Sequence, residues 1–337
     1  MLNFDEDRFI RIQSGAVGLA DRIYETVGTC LDEGVENLFF LGTGGAAILM
    51  EPAFQILMRK STFPVFRDMS AEVVRSGSVH LGPKSLVVIP SLSGTTAESV
   101  ESLVFSKRQG ASVLSFVGHG ETPLGQEADH AFVNFAEDDT SCESFYLQAL
   151  LLALSLMSHR GECSGYQDIV SELGLLPELL LKAKMAFQPQ ALPLAEAIQD
   201  STYHIISGAG ATWPEAFYYG MCILEEMQWI RTRPVHASDF FHGTLELVEP
   251  GVSTVLLKGE DEFRPLVERV DRFVHRYTDR VAVLDAAEVD LPGVSEGVRA
   301  MISPIVLATL LERVSAHLEV LRDHPLSTRR YYKRVEY

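Results

Sequence analysis

Apolar residues recur every three or four positions from Phe9 through Ile12, Ala16, Leu19, Ile23 and Val27, so residues 5 to 28 read as one helix with a single buried face. The period then changes. Asn37-Leu-Phe-Phe-Leu41 is a short apolar run that ends in Gly42-Thr43-Gly44-Gly45, and a helix-compatible stretch follows from Ala46 to Met58. This is the order strand, glycine turn, helix. It recurs at Ser85–Pro90, a buried strand, then the polar turn Ser91-Leu-Ser-Gly-Thr-Thr96, then a helix over Ala97–Lys107 with Val100, Leu103 and Val104 inward. Gly110 closes that helix, and Ser112–Val117 is the next strand.

Strands and helices alternating through short turns predict a mainly parallel sheet covered on both faces. A helical stretch over 165–200 interrupts the alternation, which restarts at Tyr203–Ser207 and runs into Gly208-Ala-Gly-Ala-Thr212. Strands at 253–257 and 281–285, with a helix near 263–276 between them, echo the first half as a weak internal repeat. Residues 301–322 read as a last amphipathic helix. The tail LSTRRYYKRVEY has neither period, though its three tyrosines suggest that it packs down.

Composition narrows the function classes. Lys plus Arg number 28 against 46 Asp plus Glu, a net charge of −18, so nucleic-acid and anionic-membrane partners are not expected. An anionic ligand must be held by a local site. Cys30, Cys142, Cys163 and Cys222 form no C-x-x-C pair and read as reduced, buried thiols. The acidic start MLNFDEDRF lacks the apolar core of a signal peptide, and the apolar run Phe145–Met157 is too short to span a membrane. A cytoplasmic protein is expected.

Two segments could carry chemistry. The turn Ser91–Thr96 offers four hydroxyls and Gly94 between a buried strand and a helix N-terminus, where unpaired N–H groups and the helix dipole suit a phosphate. The same turn can equally be read as a capping box, Thr95-x-x-Glu98. Gly42-Thr-Gly-Gly45 has Ala47 where a dinucleotide fingerprint has its third glycine, and only Arg67-Asp68 could supply the ribose-binding acid, so a pocket wall is the better reading than nicotinamide binding. In the second half, Glu226 closes an apolar helix, and Asp239 and His242 precede Gly243. A carboxyl group in an apolar setting can act as an acid near neutrality while a neutral imidazole accepts a proton, which equips this segment to move protons along a sugar chain. His236-x-x-Asp239-x-x-His242 has metal-site spacing but lacks a third strong ligand nearby, so no metal and no cofactor are expected.

The Ser91-x-Ser-Gly-x-Thr96 loop after a strand, the Gly42-Thr43 turn, and Glu226 sixteen residues ahead of His242-Gly243 together resemble the sugar isomerase (SIS) family. More narrowly, Phe240–Val252 and the terminal Arg329-Arg-Tyr-Tyr…Val-Glu-Tyr337 are similar to fructosamine-6-phosphate deglycases, relatives of the isomerase half of glucosamine-6-phosphate synthase. The resemblance implies two tandem α/β domains, each a mainly parallel five-stranded sheet flanked by helices. These are 30–165, preceded by the helix 5–28, and 195–337. It implies a homodimer with the active site at the subunit interface. Ser91, Ser93 and Thr96, helped by Thr43, would hold the substrate phosphate; Ser141, ahead of Phe145-x-x-Gln148, would line the sugar; and Lys333 matches the synthase's tail lysine. His242 would be the base and Glu226 the acid, with His242 reaching the neighbouring subunit's site. Thr244 and Asp239 depart from the family's proline and glutamate. The implied reaction is hydrolysis of a ketosamine 6-phosphate, a phosphorylated sugar-amine, to glucose 6-phosphate and a free amine. A phosphosugar isomerase or aminosugar-phosphate deaminase remains open on the same pair, as does a sensor without catalysis.

Overall fold

The computed structural model describes residues 1–136, 142–332 and 334–336. The chain divides into two compact units, Asp7–Pro177, and Met1–Glu6 together with Glu178–Tyr337.

In the first unit, β1 (Asn37–Gly42), β2 (Val65–Met69), β3 (Ser85–Ser91), β4 (Ser112–Val117) and β5 (His130–Val133) form a five-stranded, all-parallel sheet in the order β2-β1-β3-β4-β5. β3 lies at the centre and is buried at every position, as its unbroken apolar run requires. Phe39, Leu41, Val87, Ile89 and Val113 pack into one core cluster with Leu103. The edge strands β2 and β5 have no place in the sequence reading, because VFRDM is half polar and HAFV is only four residues long.

Three helices differ from expectation. The single helix over 5–28 is two, Glu6–Val17 and Ala20–Asp32, separated at Gly18-Leu19. The break shifts the inward register by one, so that Ala20 is buried and Leu19 is half-buried. Glycine at 15 and 18 weakens the helix where this happens. The stretch Ala46–Met58 lies in Gly44–Ile48 and Glu51–Lys60, with Pro52 in the first turn of the second, where its missing N–H costs nothing. Ala97–Arg108 buries Leu103 but turns Val104 outward, and Ser99, Ser102 and Ser106 face inward instead. Those serines follow a true helical spacing, and their small volume allows close packing. The helix Cys142–His159 is buried at nearly every residue.

The second unit repeats the plan. β6 (His204–Gly208), β7 (Thr232–His236), β8 (Ser253–Lys258) and β9 (Val281–Asp285) form a parallel sheet in the order β7-β6-β8-β9. It has four strands where five were expected. After β9 the chain enters a 3₁₀ turn, Ala286–Glu288, and Arg299 donates to the carbonyls of Ala286 and Val289 at 3.1 Å each. The chain after β9 is thereby held as a turn. The helix Glu296–Leu321 is not amphipathic but a core helix; it is long and apolar enough to cross a membrane, yet 83% of its most apolar window is buried in the fold. Its buried Arg313 pairs with Glu312, which also binds Lys184 at 3.0 Å.

Candidate active site

The strand order reverses between β1 and β3, the switch point at which open α/β sheets collect ligands. Phe40 lies opposite Val88, so three residues farther on Thr43 and Ser91 leave neighbouring strands side by side. Ser91 is buried, and its hydroxyl lies 3.3 Å from that of Thr96 and accepts from Gly94 N at 3.1 Å. Ser93 accepts from the backbone and hydroxyl of Thr95. Gly94 has φ +62°, and a Cβ there would meet the Thr122 hydroxyl at 2.0 Å, so glycine is what lets the turn pass the Thr122 side chain.

The capping-box alternative is not what forms. The N-cap of helix Ala97–Arg108 is Thr96, and its side chain makes no capping bond. The first N–H groups of that helix therefore have no side-chain cap, and they point from the turn that carries the hydroxyls. Thr43 likewise caps no helix, and its buried hydroxyl has no partner among the described residues. A buried hydroxyl without a partner costs about 1–3 kcal/mol, which a bound oxyanion would recover. Thr43, Ser91, Ser93 and Thr96 are thus brought together. Ser141 lies outside the described residues, though Gln148 nearby is buried with its side-chain oxygen unpartnered.

The corresponding crevice in the second sheet is filled by its own chain. Asp261 accepts from Ala211 N at 2.8 Å and from Phe263 N at 3.0 Å, and the Phe263 ring packs where a side chain on Gly210 would go. An internal carboxylate holds the backbone donors there, and no comparable hydroxyl turn exists.

Glu226 follows a π-helical stretch, Tyr219–Glu225, that continues the helix Thr212–Tyr218. Such wide turns re-aim the residues after them and are common at functional sites. A side chain on Gly220 would strike Pro234 of β7 at 2.6 Å, so the wide turn passes close to the sheet. Glu226 lines a cavity of about 760 Å³ with Tyr203, Trp229, Arg231, Arg329 and Arg330. Its Oε1 accepts from Arg329 Nε at 2.8 Å, and the carboxyl is one-third exposed. The apolar setting expected for Glu226 is therefore absent: a guanidinium pairs with the carboxylate, the form that accepts a proton.

His242 ends the 3₁₀ turn Asp239–His242, is exposed, and does not line that cavity. Phe240 anchors the turn in the core beside Phe241 and Phe273. His236 accepts from Ser238 N at 3.2 Å and packs edge-on to Trp213. Among the described residues no cluster of His, Cys, Asp and Glu could hold a metal ion.

Sequence reasoning did not single out three cavity residues. Trp229 adopts φ +56°, a left-handed conformation rare for a bulky residue. Its ring packs against His324 and carries the Arg330 guanidinium at 3.8 Å. Burial, and then the charge of Arg322, push the His324 imidazole below its ordinary range, so it stays neutral under the indole. The terminal Arg-Arg-Tyr-Tyr run was the available signal for Arg329 and Arg330. Tyr331 and Tyr332 line the cavity but remain exposed, and Tyr337 lies outside the described residues; among the described residues Arg329 ties the tail to Glu226. Lys333 lies outside the described residues.

The SIS domain family matches residues 34–158. The chain is 31% identical over 306 residues to the fructosamine deglycase FrlB of Bacillus subtilis, across 90% of this chain and 93% of that protein. It is 24% identical over 310 residues to the fructoselysine 6-phosphate deglycase of Escherichia coli, across 92% and 89%. A solved Bacillus subtilis structure of the phosphosugar-isomerase type is similar with a TM-score of 0.88 and 29% identity, over 96% of this chain and 99% of that one.

Proposed function

The chain belongs to the SIS domain family and is an enzyme of sugar phosphates, and from that premise we propose that it is a ketosamine 6-phosphate deglycase. The observation that carries the reading is the cavity of about 760 Å³ beside the Glu226 carboxylate, which leaves room for an amine substituent that an isomerase has no need to accommodate. The hydroxyl turn Ser91–Thr96, with Thr43, takes the phosphate.

In the open-chain substrate the nitrogen is bonded to C1, beside the C2 carbonyl. The Glu226 carboxylate takes a proton from C1 while the carbonyl oxygen gains one, which gives an enaminol. A proton delivered to C2 converts this to the C1 imine. Water then adds at C1 and the amine leaves, so one water is consumed and glucose 6-phosphate and free amine are released. His242 is assigned the proton donor's part. This reverses the division expected from sequence, and the Arg329 ion pair supports the reversal because it favours the carboxylate over the acid. The exposed His242, outside its own chain's Glu226 cavity, supports a homodimer in which His242 serves the partner's site. The enzyme is read as cytoplasmic, where sugar phosphates are metabolised.

The test is a coupled assay in which glucose-6-phosphate dehydrogenase reports product from a panel of ketosamine 6-phosphates, with fructose 6-phosphate in parallel. Release from a ketosamine that disappears in Glu226→Gln and in His242→Ala is the expected result. Turnover of fructose 6-phosphate alone makes the protein an isomerase, and silence across the panel sinks the catalytic reading.

A further inference from the structure

Glu319 sits in the last turn of the helix Glu296–Leu321, where free carbonyls and the negative end of the helix dipole disfavour a carboxylate, and no basic residue shares that turn. Its two oxygens instead join segments that are far apart in sequence. Oε1 accepts from Leu326 N at 3.1 Å, and Oε2 accepts from Asn3 Nδ2 at 2.9 Å.

The turn after the helix makes the first contact possible. Asp323 adopts φ +45°, and His324 N returns to the Glu319 carbonyl at 3.0 Å, so the chain folds back over the helix end and brings Leu326 beside the Glu319 side chain. Leu326 is then held on both sides of its backbone. Glu319 takes its N–H, and Arg329 Nη1 donates to its carbonyl at 2.6 Å. The Nε of the same guanidinium donates to Glu226 Oε1 at 2.8 Å. A guanidinium is a rigid plane, so fixing one of its edges orients the other. Hydrogen bonds thus run without a break from Asn3 through Glu319, Leu326 and Arg329 to Glu226.

The far end of this chain of bonds is anchored. Asn3 has φ +44°, a left-handed conformation that asparagine tolerates better than most residues. On either side of it, the Leu2 carbonyl accepts from Arg313 Nη1 at 2.8 Å and the Phe4 ring centroid lies 4.6 Å from the Arg313 guanidinium. Arg313 is fully buried, so the arm Met1–Glu6 is fixed to the core of the unit that carries Glu226.

This step rests on the reading of Glu226 as the group that takes the C1 proton. We propose that Glu319 is a positioning residue for that reaction: it fixes the Leu326 backbone that aims Arg329 at Glu226, and it makes that aim depend on Asn3 of the arm. Loss of this tie leaves every group at the reacting centre present but less well placed, which costs rate more than affinity.

The experiment is steady-state kinetics by release of glucose 6-phosphate from the ketosamine 6-phosphate that the native enzyme turns over fastest, with a thermal melt of each variant. Glu319→Ala is expected to lower kcat roughly tenfold with KM within about twofold of native. Glu319→Gln keeps an acceptor for the Leu326 N–H and is expected to stay within about threefold of native kcat. In an Arg329→Ala background, Glu319→Ala is expected to cost no more than about twofold further, because the group through which it acts is already gone. Asn3→Gly keeps the left-handed backbone accessible while removing the amide, and a fall in kcat of about threefold is expected. Asn3 is exposed, so this variant carries the test should Glu319→Ala melt below the assay temperature. Native kcat in Glu319→Ala, an equal loss in Glu319→Gln, or an undiminished loss when Arg329 is already alanine overturns the proposal, and native kcat in Asn3→Gly overturns the arm's part in it. Failure of the native enzyme to release glucose 6-phosphate from any ketosamine is a different result: it overturns the deglycase reading, and this proposal with it.

Discussion

Arg329 reaches across 103 residues of sequence to hold the Glu226 carboxylate at 2.8 Å, while its other donors grip the tail's own carbonyls. On the proposed mechanism it acts on the reaction through Glu226 and is a positioning residue. Arg329→Ala is expected to lower kcat by about 10²-fold with a smaller change in KM, since a misplacement of about 1 Å costs that much. Arg329→Lys should recover part of the loss, and steady-state kinetics separate the two parameters. An equal loss in both variants with an altered melting temperature would falsify the positioning role in favour of a structural one. At the other turn, Gly94→Ala forces a Cβ against Thr122, whose hydroxyl accepts from Gly125 N and donates to the His119 carbonyl. Thr122 cannot yield without losing those bonds. The variant is expected to lose roughly 1–3 kcal/mol in urea unfolding and to raise KM for the phosphorylated substrate.

The sheets set what happens at the scale of elements. His204 opens β6 fully buried, and its Nδ1 lies 2.8 Å from the Ser253 hydroxyl of β8. Burial is the main cause that pushes its pKa down to about 4 from the ordinary 6.5. The unfolded chain therefore binds the extra proton between these values and the native chain does not, so stability is complete above pH 6.5 and is lost as pH falls toward 4. Unfolding free energies from urea titrations at pH 7 and 4.5 should differ by about 2 kcal/mol more in the native protein than in His204→Gln. Equal pH slopes in the two proteins would remove His204 from the account. The elements legible in the sequence were those whose burial and hydrophobicity coincide, β1, β3, β4, β6 and β8 and the helix Cys142–His159, together with β9, whose apolar run is only partly buried. Edge strands β2, β5 and β7 escaped because they are half polar or only four residues long, whereas the edge strand β9 carries an apolar run. The inward serines of Ala97–Arg108 escaped because close packing selects volume, which a hydrophobic period does not register. The turn Ser91–Thr96 was readable as hydroxyls between strand and helix, but only the structure separates a capping turn from an uncapped one. The Glu226 cavity was less readable still, since a π-helical turn, a left-handed Trp229 and a tail from far along the chain assemble it.

At the scale of the whole molecule, a net charge of −18 gives a phosphorylated substrate no long-range attraction, so on the proposed reading its affinity comes from local donors such as those of Ser91–Thr96. The exposed position of His242 raises the question of which chain completes each site. If Glu226 of one subunit works with His242 of the other, neither Glu226→Gln nor His242→Ala alone retains a complete site. A mixed dimer of the two variants, however, has one site in which both groups are native and one in which both are lost. Random reassociation of equal amounts makes half of the dimers mixed, so the mixture should recover about a quarter of native activity, the share set by two-fold symmetry. If both groups act within one chain, every site in every dimer lacks one of them and the mixture stays silent. Co-expression of the two variants with different affinity tags, followed by purification of the doubly tagged species, raises the expected recovery to about half, because every molecule is then mixed. Silence in that doubly tagged fraction, with its dimeric mass verified by light scattering, would return His242 to its own chain's site and remove the interface from the mechanism.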